Sequence, residues 1–180
     1  GYNCANTYML LCGILHHKLD GAMLCILLNH DNMEALTGDL LAPAKDHSND
    51  NWDNVEKNVQ NAFIDEIAPS CDIILRELSK RIVLTDVDIT LLLQPLDFGL
   101  FKLIDMYEFL LRAIEEVQAG NRSPGVLKAI DYAVVSFCSR GNVLWDKAQT
   151  DKEHGQFYAD SYELLNTVLQ QKLRDIDYTK

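Results

Sequence analysis

Cysteine is too sparse and too scattered in this 180-residue chain to build a disulfide framework. Cys4, Cys12, Cys25, Cys71 and Cys138 are odd in number, form no CxxC pair and sit mostly inside apolar runs. They read as reduced core residues, which sets aside both a small secreted scaffold and a zinc knot. Also missing is any run of about 18 apolar residues, so no membrane span is expected. The start lacks the basic segment of a secretory signal. Because Gly1 is not a Met, further native sequence is expected upstream. An excess of positive charge is absent too: 16 Lys and Arg face 27 Asp and Glu, for a net charge of −11. Such a chain repels duplex nucleic acid and anionic membranes, and a phosphate ligand would need local help of the kind a metal cation gives. A cytoplasmic protein is the expectation.

What is present is the composition of an ordinary globule, 48% apolar and 24% charged, long enough for one domain over 1–180 with a sizeable core. Apolar residues recur at three- and four-residue spacing over 5–18, and LDG at 19–21 offers a turn with Gly21 open to positive φ. A second helix is predicted over 22–36, ended by Thr37-Gly38-Asp39, with Pro43 and DHSNDN making a loop. Further helices are predicted over 52–67 and 71–82. Between Thr85 and Pro95 the run TLLL leaves a short strand open. Helices follow over 98–117, over 124–138 behind Ser123-Pro124, and over 156–176. Without repeats or linkers, the fold class is all-α, with about seven helices.

The chemistry-bearing stretch is NHDNMEALTGDLLAPAK, residues 29–45. His30 and Asp31 offer an imidazole nitrogen and a carboxylate, typical ligands for Mn, Fe, Co, Ni or Zn. On a helix Glu34 would share their face one turn on, placed to orient or deprotonate an attacking water. Another ligand must come from elsewhere, and Asp105 stands out because it interrupts an apolar helix; buried without a partner it would cost roughly several kcal/mol. If the first helix runs down to the turn and the second returns, a residue near position 6 comes back to the level of His30, and that residue is Asn6 in CANTY.

The string HDNMEALTGDLLAPAK resembles the YfbR-like 5′-deoxynucleotidases of the HD superfamily, whose signature reads HD-x-x-E, then T-G-D, then P-x-K at this spacing. KLIDMYEFLLRAIEEVQAGN (102–121) is similar to that family's helix bearing the last metal-binding Asp. The likeness covers about 4–121, and 123–180 matches only in being helical. It implies an HD-domain helical bundle in which His30, Asp31 and Asp105 hold a divalent transition metal (Co, Mn, Zn, Fe or Ni, with Mg possible). Glu34 would be the catalytic carboxylate, Asp39 would stand by the sugar and leaving group, and Lys45 would answer the phosphate. The implied reaction takes a deoxyribonucleoside 5′-monophosphate to deoxynucleoside and phosphate. The implied assembly is a homodimer or larger.

Two departures keep alternatives open. The family's first metal ligand is a His in an A-E-H-S/T context, and Asn6 stands there, offering a harder, neutral and poorer ligand. The family's nucleotide-contacting Arg-Trp pair is expected upstream of Gly1. Besides the deoxynucleotidase, the related dNTP triphosphohydrolases of phages, releasing tripolyphosphate in a host cytoplasm, share the HD-x-x-E core. A catalytically impaired HD protein that binds a nucleotide or a partner is the third reading. Duller roles exist for each residue: a solvated helix-end pair for His30 and Asp31, an ion pair with Lys102 or Arg112 for Asp105, an N-cap for Asn6. No Ser or Cys has a suitably spaced His for a nucleophilic triad. The aromatic residues of 98–109 follow a helical core pattern, not a base-stacking platform.

Overall fold

The computed structural model describes residues 2–32, 36, 52–67 and 83–176. Among them every regular element is an α-helix: α1 (Tyr2–Ile14), α2 (Gly21–Asn29), α3 (Trp52–Ile67), α4 (Asp86–Leu92), α5 (Pro95–Gln118), α6 (Pro124–Thr150) and α7 (Gly155–Asp175). The all-α expectation therefore holds. The chain divides into two compact units. One contains α1 as far as Ala5 together with α2, α3 and α4; the other contains α1 from Asn6 onward with α5, α6 and α7.

In the first unit α2 begins where its cap places it. Asp20 accepts the Ala22 N–H at 2.8 Å, the usual role of an Asp just ahead of a helix. Gly21 thus opens the helix and is not the turn residue expected from the sequence. The helix ends at Asn29, well short of position 36. Asn29 Nδ2 donates to the Cys25 carbonyl at 2.8 Å, a local bond of the kind that competes with helix propagation. His30 and Asp31 form a turn, and Asn32, helical again, donates to Asn29 Oδ1 at 3.0 Å.

Residues 85–95, where a strand stood open, start a helix because Thr85 and Asp88 form a capping box. Thr85 Oγ1 accepts the Asp88 N–H at 3.1 Å, and Asp88 Oδ2 accepts the Thr85 N–H at 3.1 Å, so two orphan donors are satisfied reciprocally. Gln60, buried on α3, ties this cap down by donating to the Val83 carbonyl at 2.6 Å and to Asp88 Oδ2 at 3.0 Å. The predicted helix over 71–82 lies outside the described residues.

In the second unit α5, α6 and α7 pack on one another pairwise. Helix α5 buries Leu100, Leu103, Ile104, Tyr107, Leu110, Ile114 and Val117, the three- and four-residue spacing of a core-facing stripe. Its end follows the Ala-Gly-Asn signal: Gly120 takes φ 96°, and the Asn121 N–H reaches back to the Glu116 carbonyl at 2.9 Å. Helix α1 ends in the same closure without a glycine. His16 takes φ 52° and the His17 N–H bonds the Cys12 carbonyl at 2.8 Å, so the helix stops at Ile14 and not at position 18. Helix α6 runs on to Thr150, past the expected end at 138. Its Ser-Arg-Gly-Asn stretch at 139–142 looks like a stop, yet a Cβ at Gly141 would fall 2.0 Å from the Tyr162 ring. The glycine is there to let α7 approach, at a helix-propensity cost of about 1 kcal/mol.

Burial alone would raise the Asp88 carboxyl, but the Thr85 N–H and hydroxyl, the Gln60 amide and Lys57 outweigh it and hold the group below its ordinary 3.8. A carboxylate depressed in the folded state adds stability above its unfolded pKa, and that stability is lost as pH falls through the folded value. Asp88→Asn should therefore flatten the acid limb of a urea-midpoint profile below about pH 4, and Thr85→Ala should cost about 1 kcal/mol at neutral pH. An Asp88→Asn profile parallel to that of the parent protein would contradict this.

Candidate metal centre

The end of α2 orients the imidazole of His30. Met23, Ile26 and Leu27 bury the helix, and the last carbonyls of any helix lack an intrahelical donor. The Leu27 carbonyl lies 2.9 Å from His30 Nδ1. A carbonyl can only accept, so Nδ1 carries a proton and Nε2 becomes the nitrogen open to a cation.

Nε2 faces Asp31 Oδ1 at 2.9 Å, with the His30 side chain 8% exposed and that of Asp31 38%. With a second proton the ring is an imidazolium paired to the carboxylate. Without it, two lone pairs face each other, which a shared cation relieves. The hydrogen bond with His30 is the leading reason that the Asp31 carboxyl is held well below the usual range, against a smaller upward push from burial. Two donors each about 2.0–2.1 Å from one ion stand about 2.8–3.4 Å apart at 90–109°, so the 2.9 Å separation of the pair suits a transition metal.

A third donor of the same unit lies near His30. Cys4, on the first turn of α1, is fully buried, and its Sγ lies within 4.8 Å of a His30 ring nitrogen. Sequence reading takes Cys4 for a plain core residue, because a buried thiol and a ligand thiol give the same apolar pattern.

The remaining expected residues stand as follows. Glu34, Asp39 and Lys45 lie outside the described residues. Asn6 is half-buried on α1 and Asp105 is half-buried on α5, both in the second unit. Asp105 is thus less buried than expected, since it falls beside the stripe and not in it. The carboxylate that α5 does bury is Glu108, 5% exposed, which accepts a hydrogen bond from the Thr7 hydroxyl. Its place one residue after Tyr107, in helical register with Ile104, is the signal that could have found it. Lys102 lies over the Phe98 and Phe101 rings, 5.8 and 5.1 Å from their centroids. His17 stacks on Phe157 at 3.8 Å between ring centroids, and His154 is an exposed partner of Asp151 and Glu153.

A family model described as 5′-deoxynucleotidase YfbR-like matches residues 11–131, about two thirds of the chain. Searches of curated proteins and of solved structures find no match.

The ring chemistry is directly testable. In ¹⁵N-resolved NMR of the metal-free protein, His30 Nδ1 should stay protonated at every pH at which the chain is folded, with Nε2 alone titrating. A neutral ring carrying its proton on Nε2 would contradict the Leu27 bond.

Proposed function

The chain belongs to the YfbR-like 5′-deoxynucleotidase family, and on that premise we propose that it hydrolyses deoxyribonucleoside 5′-monophosphates to deoxynucleoside and orthophosphate with a divalent transition metal. What supports this most is that the matched span, 11–131, encloses His30, Asp31, Glu34, Asp39, Lys45 and Asp105 together. In this reading His30 Nε2 and the carboxylates of Asp31 and Asp105 hold the cation. Asn6, at the family's first imidazole position, offers an amide oxygen. Nitrogen and oxygen donors in this combination suit Co, Mn, Zn, Fe or Ni better than Mg.

The cation supplies Lewis acidity toward the phosphoryl oxygens and the attacking water. The chain's own groups do the rest. The Leu27 carbonyl fixes the imidazole, Glu34 steers or accepts the proton of the incoming water, and Lys45 offsets phosphate charge. Water oxygen bonds to phosphorus as the phosphorus–O5′ bond breaks, and a proton reaches O5′ with help from Asp39. No helix of the described residues is long and apolar enough to cross a membrane. A cytoplasmic site of action and a homodimeric or larger assembly complete the proposal.

The test is release of products by the purified chain with and without Mn or Co. Orthophosphate from dNMPs is the expected result. Tripolyphosphate from dNTPs would favour the triphosphohydrolase branch, and nucleotide binding without turnover would favour an impaired HD protein. Glu34→Gln should cut kcat by about 10²–10⁴-fold while metal content stays intact, whereas His30→Ala should lower metal content itself. Full activity in a dialysed, chelator-treated His30→Ala protein would overturn the proposal.

A further inference from the structure

We propose that Cys4 supplies a thiolate ligand to the same cation, so that the centre has sulfur, nitrogen and oxygen donors; the inference rests on the metal-dependent reading of the site. Cys4 is fully buried, with Sγ within 4.8 Å of a His30 ring nitrogen. A sulfur and a nitrogen on one tetrahedral ion stand about 3.6 Å apart, given bond lengths of about 2.3 and 2.1 Å. That spacing falls inside the 4.8 Å limit. His30 in turn stands 2.9 Å from Asp31 Oδ1, so a thiol and a carboxylate each lie near the one imidazole within the first unit, from two helix ends that are distant in sequence.

On α1 the thiol and the Asn6 amide are separate donors. Residues two apart on a helix point about 200° apart, so the face of α1 that bears Cys4 does not bear Asn6. The amide oxygen of Asn6 is also the harder and poorer donor for these ions. Cys12, Cys25 and Cys138 belong to no comparable group among the described residues. On binding, the thiol gives its proton to solvent and bonds as thiolate. The consequence is selectivity: a thiolate favours Zn, Co or Fe over Mg and Mn.

The experiment is X-ray absorption on the zinc-loaded full chain, with metal content measured separately by equilibrium dialysis. One sulfur at about 2.3 Å is expected in the first shell of the parent protein and is expected to vanish in Cys4→Ser, which should lose affinity for Zn more than for Mn. Cys4→Ala, which keeps an apolar side chain at this buried position, serves if the serine variant does not fold. Stoichiometric zinc with only nitrogen and oxygen neighbours would overturn the thiolate ligand while leaving the metal-dependent reading standing. A sulfur shell that persists in the Cys4 variants would overturn it as well. Failure of the parent chain to bind zinc, cobalt or manganese would remove both.

Discussion

One hydrogen bond, from His30 Nδ1 to the Leu27 carbonyl at 2.9 Å, governs what this site can be. It spends Nδ1 on the backbone and leaves Nε2 for chemistry. It also depends on where α2 stops. In a helix that continued to position 36, the Leu27 carbonyl would take the N–H of residue 31 and would not be left to orient an imidazole. At this same end the Asn29 side chain folds back onto the Cys25 carbonyl, and the Leu27 carbonyl accepts from the ring.

The apolar burial of Met23, Ile26 and Leu27 gives that carbonyl a rigid mounting. A site built this way keeps its ligand orientation without metal, so little ordering is left for the binding step. Elsewhere in the first unit, the capping box of α4 and the Gln60 bridge tie α3 to α4 through buried, satisfied polar groups. The second unit relies on a continuous apolar stripe and on close approach, as at Gly141 beneath the Tyr162 ring.

The helical fold was legible in apolar spacing, and the caps at Ser123-Pro124 and Ala-Gly-Asn were legible as turn chemistry. The misreadings share one cause: local signals compete with tertiary partners that a sequence does not display. Gly141 looks like a helix stop until Tyr162 is packed on it. Gly21 looks like a turn until Asp20 caps the helix ahead of it, while His16 adopts the left-handed conformation that a glycine would usually take. The His30 and Asp31 pair was legible from residue type and order. Cys4 was not, since periodicity sorts residues by hydrophobicity and a thiol in a core pattern carries no mark of a ligand. Asp105 stands out by the same logic run in reverse, as a charge amid apolar neighbours, although it is half-buried and Glu108 is the carboxylate placed in the stripe.

The central claim is that His30 meets a cation through Nε2, with Asp31 beside it. Anomalous diffraction from crystals grown with zinc tests it most directly. The account predicts a peak at bonding distance from Nε2 and from a carboxylate oxygen of Asp31, with Nδ1 still on the Leu27 carbonyl. A peak bonded to Nδ1, or zinc bound only at other residues while His30 keeps its ring orientation, would contradict it.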